Sequence, residues 1–136
     1  MIRLMPRRDG HLQRALSLLG PLEGRLMAQI WSRRVSEPFV VRDVLALTPD
    51  LAYTTVMTTL NRLADKGVLK VTKGASRQAH RYRAAGDVSA FLASSGRAEV
   101  DRLVARYGDA ALAAFADRLD RLSPSTREAL KNLRSK

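Results

Sequence analysis

The sequence predicts a mainly α chain with a small β-hairpin, and three observations predict it. Apolar residues recur at helical spacing in three stretches between Gly20 and Gly67, closed in turn by Pro38, Pro49 and Gly67. From Val68 to Ala84 the period changes to two, across a turn rich in Lys, Gly and Ser. Beyond Gly86 the helical spacing returns in leucine-rich stripes. Two short helices, a longer helix and a hairpin, in that order, make a winged helix-turn-helix. The remainder reads as a helical C-terminal part.

Taken in order, residues 1–19 are expected to be a basic N-terminal arm and a short helical lead-in. Residues 1–10 mix charges with Pro6 and Gly10, and His11 to Leu19 form the helical turn. Gly20-Pro21 punctuates the chain, with proline suited to the first position of a helix. Leu22, Leu26, Met27, Ile30 and Trp31 then repeat at helical spacing, and Trp31, the only tryptophan, reads as a core anchor. After Pro38, Val41, Val44 and Leu45 make a short second helix, which Thr48-Pro49-Asp50 closes.

The third helix, Ala52 to Gly67, dominates the reading. Val56, Leu60 and Leu63 fall on one narrow face, and Thr54, Thr58, Asn61 and Asp65 on the opposite one, flanked by Thr55, Met57 and Arg62. Threonines are poor helix formers, so local propensity does not explain them. Short side chains bearing hydroxyls and methyls suit a helix that approaches another surface closely, such as the floor of the DNA major groove. Gly67 ends this helix. Val68 to Thr72 and Ala79 to Ala84 are the expected strands, with His80 and Tyr82 on one face of the second and Arg81 and Arg83 on the other. The winged-helix domain is therefore placed at residues 20–86.

Residues 87–136 are expected to be a helical dimerisation domain. Asp87 can cap a helix running to about Tyr107; Gly108 breaks it, and Asp109 starts another. In that second helix Leu112, Phe115, Leu119 and Leu122 recur at steps of three, four and three. Ser123-Pro124 opens a last helix bearing Leu130 and Leu133. So short a helical segment cannot bury these stripes by itself, and a second copy of the chain is the economical partner. Leu103, Tyr107, Leu112, Phe115, Leu119, Leu122, Leu130 and Leu133 are the residues expected at that homodimer contact.

Charge narrows the function. The chain of 136 residues carries a formal charge of +11. Residues 1–86 hold 15 Lys/Arg against 6 Asp/Glu, a net of +9; residues 87–136 hold 9 against 7. The excess sits with the threonine helix and points to a polyanion partner, double-stranded DNA. Thr54, Thr55, Met57, Thr58 and Asn61 are the expected base readers, with threonine methyls on thymine methyls and Asn61 bidentate to adenine. Half-sites should accordingly lean towards A·T at their centres. Arg42, Arg62, Lys66, Lys73 and Arg77 flank the helix or tip the wing and are the expected phosphate contacts.

Other classes are disfavoured. With no cysteine there are no disulfides and no thiolate metal sites, and no metal or cofactor is expected. The two histidines, His11 and His80, lie far apart, and no nucleophile or phosphate-binding glycine loop stands out, so the chain is not read as an enzyme. No apolar run approaches the ~18 residues that span a bilayer, and the N-terminus lacks the apolar core of a signal peptide, which places the protein in the cytoplasm. Two rivals remain open: a winged helix used as a protein-interaction module, and a sequence-neutral architectural DNA-binding protein.

Three stretches carry a family resemblance: LGPLEGRLMAQIW (Leu19–Trp31), DLAYTTVMTTLNRLADKGVL (Asp50–Leu69) and RYRA (Arg81–Ala84). By these the chain resembles the penicillinase-repressor family of bacterial transcription regulators, and the likeness continues more loosely to Pro124. It implies an N-terminal winged helix, a helical dimerisation part and repression through inverted-repeat operators. It further implies a membrane sensor-protease as partner, relieving repression by a cut within the dimerisation helices, here around Phe115. Copper-responsive relatives carry a cysteine-rich C-terminal site, which a chain without cysteine does not share.

Overall fold

A computed structural model of the chain describes residues 5–75 and 78–134, with side chains from residue 10 onward. Its elements run α1 (Met5–Ser17), α2 (Pro21–Trp31), α3 (Val41–Leu45), α4 (Tyr53–Asp65), β1 (Leu69–Thr72), β2 (Arg81–Ala84), α5 (Val88–Tyr107), α6 (Asp109–Asp120) and α7 (Pro124–Arg134). The described residues are mainly α with one two-stranded antiparallel hairpin, as expected. It divides into two compact units between Ser94 and Ser95, inside α5. The division falls beyond Gly86 because Phe91 belongs with the first unit: its ring lies 5.2 Å from that of Trp31.

The N-terminal helix starts earlier than the helical turn expected from His11. Helix α1 begins at Met5, and Pro6 sits in its first turn, where a missing N–H costs nothing. Ala15 is fully buried and Leu16 half-buried, so the helix is held by packing. It lies against Gly24 of α2, where a β-carbon would stand in ordinary van der Waals contact with the Leu16 carbonyl, at 3.5 Å. Residues 1–4, and the side chains of residues 5–9, lie outside the described residues.

Helices α2 and α3 start by the same device. The acid at the third helical position reaches back to the amide before the helix: Gly20 N donates to Glu23 Oε1 at 3.2 Å, and Val40 N to Asp43 Oδ2 at 2.9 Å. Leu26, Met27 and Ile30 of α2, Val41 and Val44 of α3, and Val56, Leu60 and Leu63 of α4 meet in one core, joined by Phe39, Leu69 and Tyr82. Each fully buried side chain of this size stabilises by about 1.5–3 kcal/mol. Trp31 caps the core edge, its Nε1 donating to the Gly86 carbonyl at 3.1 Å.

Helix α4 stops at Lys66, and Gly67 takes a φ of +81°, a conformation that glycine adopts without strain. The hairpin pairs Leu69 with Ala84 and Val71 with Tyr82, facing the core, and Lys70 with Arg83 and Thr72 with Arg81, facing solvent. Both strands are shorter at their N-terminal ends than expected, by one residue in β1 and two in β2. At the turn, Gly74 N donates to His80 Nδ1 at 3.1 Å, which makes His80 a packed wing residue. A β-carbon on Gly74 would stand 2.2 Å from the Gln78 carbonyl, so the turn requires glycine.

In the second unit, α6 and α7 are joined tightly. Arg127 donates to the carbonyls of Leu119 and Asp120, at 3.2 and 3.1 Å, satisfying the end of α6. Ser123 Oγ receives the Thr126 amide at 3.2 Å and starts α7. Ala111 is the sole buried residue among the described residues of this unit.

Candidate nucleic-acid interface

Helix α4 buries Val56, Thr59, Leu60 and Leu63, and this choice of inward face decides what points out. Thr59, one of the paired threonines, turns inward and donates to the Thr55 carbonyl at 2.7 Å. Thr54, Thr58 and Arg62, spaced by four, line the exposed side. Thr55 and Met57 are half-buried, and Met57 packs against the core, so neither stands as far out as Thr54 and Thr58.

Asn61 departs from the free adenine reader that the sequence suggests. Its Oδ1 accepts the Tyr82 hydroxyl at 2.6 Å, and Tyr82 is 1% exposed. Burial pushes the Tyr82 hydroxyl above its ordinary pKa, with Tyr53 adding to the shift, so it stays a proton donor.

The cations are placed unequally. Arg42, from α3, is exposed and lies 5.6 Å over the Tyr53 ring, which brings its guanidinium to the start of α4. Arg62 is exposed one turn beyond Thr58, and Lys73 is exposed at the end of β1. Arg77 lies outside the described residues. Lys66 already has an internal partner: its Nζ bonds Glu23 Oε1 at 2.9 Å, with the Glu23 side chain 5% exposed. Three further cations that were not among the expected phosphate contacts, Lys70, Arg81 and Arg83, lie on the outer face of the hairpin. None of them forms an ion pair among the described residues, and Lys70 stands directly opposite Arg83. Like charges facing across a ladder are unfavourable, and a polyanion would relieve them. The two-residue alternation along both strands was the signal.

The Glu23–Lys66 pair ties the start of α2 to the end of α4. Burial alone would raise the Glu23 pKa, but hydrogen bonds from Lys66 and the Gly20 amide, with the charges of Lys66 and Arg62, outweigh it and hold the carboxyl below its ordinary 4.5. A depressed folded-state pKa contributes stability that is present above the unfolded value and lost as pH falls through the folded one. Urea midpoints of the native chain should therefore fall as the pH drops below 4.5. In Glu23→Gln that part of the acid limb should flatten, and an acid limb unchanged by the substitution would refute the assignment. Arg25 and Asp50 make a second tie, exposed and bidentate, between α2 and the turn before α4.

The second unit exposes several large apolar side chains. Tyr107 is 54% exposed, Leu112 51%, Phe115 37%, Leu119 46%, Leu130 38% and Leu133 65%, while Leu103 and Leu122 are half-buried. Leu103, Tyr107, Ala110, Ala111, Ala114 and Phe115 line an apolar cleft of about 290 Å³. Among the described residues no helix is long and apolar enough to cross a membrane, and no group of His, Asp and Glu could hold a metal ion.

The profile of the penicillinase repressor family matches residues 19–136. The chain belongs to this family. That membership makes it kin to transcription regulators rather than enzymes. The transcriptional regulator BlaI of Mycobacterium tuberculosis, in strains CDC 1551 / Oshkosh and ATCC 25618 / H37Rv, is 49% identical over 71 residues. The match takes in 49% of this chain and 48% of that protein, so the chain spans about half the length of these relatives. The crystal structure of the transcriptional regulator SlyA aligns over 96% of this chain and 99% of that one, with a TM-score of 0.37 and 18% identity.

Proposed function

We propose that this protein is a dimeric, sequence-specific DNA-binding transcriptional repressor that acts on inverted-repeat operators. One observation carries the reading: α4 closes the core with one face and leaves Thr54, Thr58 and Arg62 exposed on the other, within residues 1–86, which hold the net +9. In this reading α4 lies in the major groove, with Thr54 and Thr58 against base edges. Arg42, Arg62, Lys73 and Arg77 contact phosphates, joined by Lys70, Arg81 and Arg83 from the wing. Lys66 serves chiefly to hold α4 on α2. Leu112, Phe115, Leu119 and Leu122 meet their counterparts in a second chain, and a sensor-protease cutting near Phe115 would separate the two.

Replacing Thr58 with alanine tests the reading. On duplexes selected from a random pool it should cost about 1–3 kcal/mol, the worth of a specific base contact, and on random DNA very little. An unchanged ratio of selected to random affinity would remove Thr58 from the reading set. Native binding should also weaken steeply with salt, because each neutralised phosphate releases counterions. Binding indifferent to salt up to ~0.3 M would favour a protein-interaction module instead. Equal affinity for all duplexes would favour an architectural protein.

A further inference from the structure

We propose that the Tyr82 hydroxyl makes Asn61 a donor-only reader, one that takes the acceptor edge of guanine rather than the mixed edge of adenine. The proposal rests on the DNA-binding reading above and names what one of its residues selects.

The reasoning is geometric. Tyr82 is fixed from three sides. Its backbone bridges Phe39, with hydrogen bonds of 2.9 and 2.8 Å in the two directions, and its ring stacks on Phe39 at 5.9 Å. Its hydroxyl reaches Asn61 Oδ1 at 2.6 Å. The opposite orientation of the amide would put Nδ2 against the hydroxyl, leaving the O–H donor of a residue 1% exposed without an acceptor. A buried donor without a partner is costly, so the amide is held with its oxygen towards the protein.

The two ends of a carboxamide diverge from one carbon. With Oδ1 turned to Tyr82, Nδ2 and its two hydrogens have no partner among the described residues and are not buried, so they are the end of the amide open to a ligand. Adenine offers the major groove one donor and one acceptor, N6 and N7, and bidentate recognition needs both ends of the amide. Guanine offers two neighbouring acceptors, N7 and O6, which suit an amino group alone. Asn61 as fixed here matches guanine. A G·C pair should therefore stand at one position of each half-site, beside the A·T pairs that suit Thr54 and Thr58.

Selection from a random duplex pool, carried out with the native chain, Asn61→Ala and Tyr82→Phe, tests this. The native chain should fix guanine at one position per half-site, and Asn61→Ala should lose roughly tenfold preference there and nowhere else. In Tyr82→Phe the released amide can turn, and adenine should become acceptable at the same position. As a check that needs no variant, 7-deazaguanine placed there should weaken native binding. Adenine at the Asn61-dependent position, or the same selected sequence from native and Asn61→Ala chains, would overturn the proposal. Full binding to the 7-deazaguanine duplex would overturn it as well, as would an unrelaxed guanine preference in a folded Tyr82→Phe. Should the native chain bind no duplex, the DNA-binding reading fails together with it. Should the native chain select A·T pairs through its threonines but show no Asn61-dependent guanine, only this proposal falls.

Discussion

Replacing Leu119 with aspartate is expected to turn an associated pair of chains into single chains. Leu119 is 46% exposed in the isolated chain and follows Leu112 and Phe115 along one side of α6. In a two-fold contact the substitution enters twice, and each unpaired carboxylate taken out of water costs several kcal/mol. Even about 4 kcal/mol weakens association roughly a thousandfold. The variant should sediment as a monomer at concentrations where the native chain is a dimer. Its affinity for an inverted-repeat duplex should collapse, because two half-site contacts no longer act at a shared effective concentration. Binding to random DNA, which draws on the cations of the first unit, should change far less. A native chain that sediments as a monomer at micromolar concentration would remove the dimer from the proposal.

Truncating Tyr82 to alanine should produce the largest loss of stability from a single side chain in the first unit. The residue is 1% exposed, stacks on Phe39 and closes the core beneath β2. Removing a buried aromatic ring costs about 3–5 kcal/mol, a large part of the ~5–15 kcal/mol that typically holds a domain folded. Tyr82→Phe keeps the ring and forfeits one hydrogen bond, so it should cost only about 1 kcal/mol. Trp31, the only tryptophan, packs in the same unit and reports the urea transition by its fluorescence. Equal losses for the two variants would show that the hydroxyl, and not the packed ring, carries the stability.

How legible the site was depends on the residue. The seam of Val56, Leu60 and Leu63 could be read from spacing, since three apolar residues at helical intervals have only one face to bury. Which threonines would be outermost could not. Thr59 is chemically identical to Thr58, yet it is 3% exposed because it lies next to Leu60 on the inward arc of α4 and satisfies its hydroxyl on Thr55. The wing cations Lys70, Arg81 and Arg83 were visible as an alternation, but their face became defined only when Val71 and Tyr82 paired inward. The N-terminal helix was underread because Pro6 and Gly10 suggest a break, whereas packing of Leu16 on Gly24 supplies what local propensity lacks.

By itself, the sequence determined the order of helices and hairpin, the basic character of residues 1–86 and the apolar stripes of residues 87–136, because each follows from local spacing and composition. Tertiary structure alone decided the partners of single polar groups. Lys66 met Glu23 across 43 positions of chain, and Asn61 met Tyr82 across 21. Such pairings depend on how α4 seats against α2 and β2, a matter of core shape that no periodicity encodes. That seating divides the outward face of α4 into side chains left free to meet a ligand and side chains already bonded to the fold.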